Sequence, residues 1–207
     1  MAPSRRDHLA ERFDFLREVP LFIPVKDGVL AYLAEDFRER TYRKGETLFH
    51  QGDHSRELYI IKKGKVRIFH LSPGGEETTV AVLAPRQLVG EFAVIDGQPR
   101  SATAKTITAC TVLELRAEVC LAHLETTPGL ALALCKQLVS KARWTSMYAE
   151  TIAQLDAEGR LLHFLLLYNE EFVSNYGRQY TTELQQDCTT DLRPKYTSHL
   201  QPRCTTG

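Results

Sequence analysis

The 207-residue sequence has few of the features that mark specialised protein classes. It carries no formal net charge, with 26 Lys and Arg against 26 Asp and Glu, so nothing global marks a polyanion partner. A local basic face is left open. No uninterrupted apolar run approaches the roughly 18 residues of a membrane span. The basic residues near the start, Arg5 and Arg6, are not followed by an apolar segment, so neither secretion nor membrane insertion is expected. The five cysteines (Cys110, Cys120, Cys135, Cys188 and Cys204) are scattered, odd in number and without metal-ligand spacing. They read as reduced thiols of a cytoplasmic protein, mostly filling core. His50, His54 and His70 form no His-x-His pair with a matching carboxylate, so no metal cofactor and no catalysis are expected.

What is present falls into three textures. Residues 6–39 read as helical in pieces: Leu9, Phe13 and Leu16 recur at helical spacing, Pro20 and Pro24 interrupt, and Val29, Leu30, Leu33 and Phe37 form a second stripe. From Thr41 to about Glu114 come short strand-like runs punctuated by glycine. They include Tyr42 to Phe49, Leu58 to Ile61, Val66 to Phe69, Thr78 to Leu83, Ala102 to Ile107 and Cys110 to Leu115. Strands at this spacing predict an antiparallel sandwich or jelly roll, a shell able to hold a small ligand.

Within that shell, Gly90 to Thr103 reads as a phosphate cradle. Gly90 and Gly97 bracket a short apolar run, and one helical turn from Phe92 to Asp96 would aim its free N–H groups at one point. Arg100 adds a fork of donors suited to two phosphate oxygens, and Ser101 adds a hydroxyl. Glu91 fits badly beside a bare phosphate. A ligand with both a phosphate and a sugar hydroxyl resolves this, because the carboxylate can accept from the hydroxyl while Arg100 neutralises the phosphate. The pattern therefore points to a nucleotide. The competing reading is an ordinary Glu91–Arg100 ion pair with glycines serving only the turns.

After Pro128 the pattern becomes one long helix to about Asp156. Leu134, Leu138, Tyr148, Ile152 and Leu155 lie on a 4,3,4,3 register that also passes through Lys141 and Thr145. A seam of this length favours a second helix, so a homodimer is expected; packing on the chain's own sandwich is the rival. Polar groups in a buried seam need partners. A heterocyclic base meeting Thr145 and Ser146 would supply one, and a register-setting role is the alternative.

These residues together resemble the cyclic-AMP receptor family of bacterial transcription regulators, also called the Crp/Fnr family. The resemblance covers roughly residues 21–172. It rests on Gly45-Glu46 with Gln51-Gly52-Asp53, on Leu58 to Ile61 followed by Gly64 to Arg67, on Gly90 to Ala93 with Pro99 to Ala102, and on Thr145-Ser146 followed by Leu155-Asp156 and Gly159-Arg160. It implies an α+β fold: an antiparallel β jelly roll of the cyclic-nucleotide-binding type with N-terminal helices, a long dimerisation helix and an incomplete helix-turn-helix region. The expected domains are 1–127, 128–156 and 157–207. By position, Glu91 matches the residue binding the ribose 2′-OH, and Arg100 and Ser101 match those holding the cyclic phosphate. Gly90, with the backbone of Phe92 and Ala93, belongs to the same cassette. Thr145 matches the residue contacting adenine, and Ser146 the one reaching across from the partner subunit. The Thr-Ser pair favours cyclic AMP as effector. The iron–sulfur branch of the family needs an N-terminal cysteine cluster, and no cysteine precedes Cys110.

The resemblance also implies DNA as a partner, through a winged helix-turn-helix domain whose first helix is matched by Ala157 to Tyr168. Beyond Phe172 the match stops. Major-groove reading needs an amphipathic segment, a turn and a second helix offering Arg, Lys, Gln or Asn, whereas residues 181–207 are rich in Thr and Gln, contain Pro194 and Pro202, and carry few basic residues. Tyr176, Tyr180, Leu184, Cys188, Leu192, Tyr196, Leu200 and Cys204 recur every fourth residue, which drifts around a helix rather than forming a face. The expectation is a truncated or frame-altered member whose sensor is kept and whose DNA reader is lost.

Overall fold

A computed structural model describes residues 5–154. The helix-turn-helix match, the Leu155-Asp156 and Gly159-Arg160 matches and the repeat in the tail lie outside the described residues. Met1–Lys141 forms one compact unit, and the chain from Ala142 onward belongs to a second.

The first unit is two four-stranded antiparallel sheets under a layer of helices. One sheet has the order β1 (Arg38–Tyr42), β8 (Cys110–Arg116), β3 (Glu57–Lys63), β6 (Leu88–Val89). The other has the order β2 (Thr47–Phe49), β7 (Thr103–Thr106), β4 (Val66–Leu71), β5 (Glu77–Leu83). Central strands β3 and β8 are apolar on both faces, because each face has its own core. Leu58, Ile60, Leu113 and Leu115 pack with the helices, while Tyr59, Ile61, Cys110 and Val112 fill the space between the sheets with Phe49, Val66 and Ala104. Edge strand β1, Arg-Glu-Arg-Thr-Tyr, has no such demand and is polar. The jelly roll expected from the turn spacing is the fold observed.

The helical layer comprises α1 (Arg5–Arg17), α2 (Asp27–Asp36), α4 (Ala117–Thr126) and the first turns of α5 (Pro128–Gln154). Between α1 and α2, Val19, Phe22 and Val25 each donate to the carbonyl three residues back, and this tight path buries Val19, Leu21 and Phe22 despite Pro20 and Pro24. Lys62 ties the layer to the sheet by bonding both Glu11 and Glu39 at 2.9 Å.

One boundary differs from the sequence reading, and two elements are additional to it. Helix α2 ends at Asp36, and Arg38–Tyr42 is a strand because it pairs with β8 from Arg38↔Glu114 to Tyr42↔Cys110. Strand β6 and helix α4 were not anticipated. Leu88 and Val89 are too few to show a period, and α4 buries only Ala117 and Cys120 deeply.

Helix α5 starts at Pro128 as expected, but its stripe is shared. Leu130 and Leu134 are buried in the chain's own core, and Leu138 packs against it. The rival reading, packing on the sandwich, thus holds for these positions. In the first unit Leu132 and Val139 remain more than half exposed and Cys135 is exposed; in the second, Ala142, Ser146 and Met147 are exposed.

Candidate functional site

The cradle is built on two glycines with positive φ. Gly90 (φ +84°) and Gly97 (φ +69°) flank α3 (Glu91–Asp96), the anticipated helical turn. Its first turn leaves the N–H groups of Glu91, Phe92 and Ala93 outside intrahelical bonding. Ala93 is buried and fixes the turn on the sandwich, whereas the Phe92 side chain is exposed.

Arg100 is clamped from the backbone outward. Its N–H donates to the Asp53 carbonyl at 2.9 Å, and its own carbonyl accepts from Gly52 N–H at 2.8 Å. That turn is itself closed by His50 N–H donating to the Asp53 carboxylate at 2.7 Å. The guanidinium then runs inward, and the residue as a whole is 3% exposed. Nε donates to Ser55 Oγ at 3.1 Å, Nη1 to the Gly90 carbonyl at 2.8 Å, and Nη2 to the Glu57 carbonyl at 2.8 Å. The Glu57 carboxylate lies farther off, 3.4 Å from Nη2. The fork lies over the Phe49 ring, 4.1 Å from its centroid, with Tyr59 on the flank at 5.9 Å. A Cβ on Gly90 would sit 2.2 Å from Nη1, so the glycine is what lets the guanidinium seat.

Burial pushes the Arg100 pKa down, opposed by Tyr59, Glu57, Asp53 and Glu91. A guanidinium stays charged regardless, so the site holds a fixed, dehydrated cation. Burial, then the Glu57 carboxylate, pushes the neighbouring Tyr59 phenol up, which keeps it neutral.

Glu91, 6% exposed, meets a different cation: Lys141 Nζ on α5 donates to its Oε1 at 2.5 Å. The Glu91–Arg100 ion pair weighed as the ordinary reading is therefore not the pairing observed. Arg100's carboxylate neighbour is Glu57, and Glu91's cation is Lys141. The polar break at Lys141 in the α5 stripe has a protein partner.

Of the expected site residues, Gly90, Glu91, Ala93 and Arg100 come together, with Phe92 contributing backbone. Ser101 follows Arg100 and is exposed. Thr145 and Ser146 are exposed positions of α5 in the second unit. Sequence reasoning missed Phe49, Ser55, Glu57 and Tyr59, and did not assign Lys141 to Glu91. Only the Lys141 break was a signal; a carboxylate opening a strand, such as Glu57, looks like ordinary surface charge. Among the described residues no group of three or more His, Cys, Asp or Glu is placed to hold a metal, and no helix is long and apolar enough to cross a membrane.

The cyclic nucleotide-binding domain model matches residues 39–127, the sandwich with its cradle and α4. The cyclic AMP receptor protein of Thermus thermophilus is 34% identical over 147 residues, covering 71% of this chain and 68% of the relative. This chain belongs to the cyclic-AMP receptor family. Among solved structures, the crystal structure of Thermus thermophilus catabolite activator protein superposes with a TM-score of 0.60 at 32% identity, over 65% of this chain and 63% of that one. The chain thus spans just under two thirds of that structure's length. The N-terminal domain of a transcriptional regulator from Streptomyces coelicolor superposes at 0.53 with 36% identity, over 64% of this chain and 94% of that domain. Family membership accounts for the jelly roll.

Proposed function

We propose that this chain is a cytoplasmic, cyclic-AMP-responsive regulator of transcription and not an enzyme, with its effector held in the Gly90–Ser101 cradle. The observation that carries this reading is Arg100: a permanent cation, stripped of water, seated on an aromatic ring at the mouth of a glycine turn. Such a group recognises a phosphate. Glu91 then accepts from the ribose 2′-OH, with Lys141 holding the carboxylate in place. Ser101 adds a donor to the phosphate. Thr145 contacts the base, and Ser146 meets the base bound by a partner copy.

The working form is a homodimer. Leu132, Cys135, Val139, Ala142 and Ser146, all exposed, fall at a 3,4,3,4 spacing on α5, which is the pattern of a coiled-coil seam. This register lies one face away from Leu134, Leu138 and Lys141. DNA reading by the chain is impaired, given the composition of residues 173–207.

Titration calorimetry of the full chain tests the effector. Cyclic AMP binds in the micromolar range or tighter and better than cyclic GMP, and both Arg100→Ala and Thr145→Ala reduce the affinity. No binding of either nucleotide would overturn the reading. Sequence-specific protection of DNA in a footprint would overturn the impaired output.

A second reading has its own observation. Arg100 and Glu91 already have protein partners, which suits a ligand-independent dimer whose cradle is a structural clasp. In that reading Arg100→Ala lowers the melting temperature while nucleotide addition never raises it.

A further inference from the structure

We infer that Glu57 is a tethered competitor for the phosphate subsite, and that it sets how tightly the cradle binds an anionic nucleotide. The inference rests on the nucleotide reading above and adds a residue which that reading does not use.

The four acceptors around the Arg100 fork are unequal. Three are neutral and close: Ser55 Oγ at 3.1 Å, and the carbonyls of Gly90 and Glu57 at 2.8 Å each. The fourth, the Glu57 carboxylate, is the only charged one and the most distant at 3.4 Å. Orientation of the fork is therefore fixed without the carboxylate, by three shorter bonds and the ring of Phe49 beneath. What the carboxylate adds is charge. It offsets Arg100 at the same Nη2 that an incoming phosphate oxygen would use.

The exposures show which of the two moves. The Arg100 side chain is 1% exposed and the Glu57 side chain 31%. The guanidinium stays where it is seated, while the carboxylate lies at the solvent edge and can swing out. Its backbone need not follow, because Glu57 is held in β3 opposite Arg116 of β8. Arg116, exposed and directly across the ladder, offers the displaced carboxylate another cation. Phosphate and carboxylate cannot share Nη2 without like-charge repulsion, so binding one releases the other.

The test is titration calorimetry of the full chain, Glu57→Gln and Glu57→Ala. Cyclic AMP is the ligand and adenosine the phosphate-free probe. Both variants keep the backbone carbonyl that Arg100 uses. The expected result is cyclic AMP binding tightened about five- to tenfold in both variants, the scale of one partly exposed charged contact, with adenosine affinity unchanged. Binding by the variants when the parent chain shows none would support the inference equally.

Cyclic AMP binding that is unchanged or weakened would overturn it, since Glu57 would then be neutral or an orienting group. An equal gain for adenosine would overturn it too, because the effect would not be on the phosphate. Loss of fold in both variants would make Glu57 a structural anchor instead. If neither parent nor variants bind nucleotide, the nucleotide reading itself falls and takes this inference with it.

Discussion

At one end of the cradle Arg100 is 3% exposed, bonded to Ser55, Glu57 and Gly90 and stacked on Phe49. At the other end Glu91 is held by Lys141, whose side chain is 39% exposed. The first end is over-determined: taking away one partner leaves several others holding the same geometry. The second depends on a lysine at the end of a flexible stem. A sensor of the kind proposed would benefit from this inequality. A rigid end gives the ligand a preformed anchor and limits the ordering cost of binding. A loosely held end can adjust to what it meets, and the lysine that positions it sits on α5.

The largest effect should come from breaking the rigid end. Arg100→Ala leaves the Gly90 and Glu57 carbonyls short of donors and opens a space over Phe49. The expected cost is about 2–3 kcal/mol of stability, with loss of cyclic AMP binding beyond about a hundredfold. Denaturant melts and calorimetry on one preparation separate the two losses. Arg100→Lys should not restore binding, because an ammonium cannot reproduce the planar fork. Gly90→Ala comes next and attacks the same end from its backbone. The new Cβ would meet Nη1 at 2.2 Å in a residue whose φ is +84°, so a loss of about 1–3 kcal/mol is expected. If Gly90→Ala melts like the parent chain, the Arg100 end is more pliable than this comparison requires.

The two ends also differ in how far the sequence disclosed them. Gly90, Glu91 and Arg100 stand within one short stretch, and their glycine spacing made both the cradle and the turn legible. Their partners did not stand out, because those pairings are made by topology: Glu57 is 43 positions from Arg100, and Lys141 is 50 from Glu91. No local period records such distances. The same limit explains the fold. Strands β3 and β8 were readable from their apolar runs, whereas two-residue β6 exists only because β3 offers Tyr59 and Ile60 to Val89 and Leu88. On α5 the length was legible but not the division of labour. Leu134 and Leu138 look like a seam in sequence and serve the chain's own core in the fold.

A smaller effect is expected at the Glu91–Lys141 end. Lys141→Met removes an ion pair whose lysine is partly exposed and whose carboxylate is buried, and the carboxylate left short of a donor should cost about 1–2 kcal/mol. Its influence should fall on ligand choice as well. A Glu91 carboxylate without its lysine is less well placed for the ribose hydroxyl, so cyclic AMP should weaken about three- to tenfold. Binding of 2′-deoxy cyclic AMP should change less, because that ligand lacks the hydroxyl. The discriminating measurement is the ratio of the two dissociation constants, which should shrink in the variant. An equal loss for both ligands would show that Lys141 acts elsewhere and would dissolve the contrast between the ends.

The smallest effect is expected between them, at Phe92. A phenylalanine in the middle of a binding cassette invites the assumption that it stacks on a base. Yet its side chain is 46% exposed, while its neighbours Glu91 and Ala93 are buried. In a six-residue helix the buried positions Glu91, Ala93 and Val94 take the inward faces, which leaves Phe92 and Ile95 pointing outward. Its contribution to the cradle is then its backbone, which alanine keeps. Phe92→Ala should shift stability by no more than about 0.5 kcal/mol, the usual range for surface positions, and cyclic AMP affinity by less than about twofold. A tenfold loss of affinity with an unchanged melt would mean that the exposed ring closes over the ligand, and the region between the two ends would have to be counted as a third, mobile part of the site.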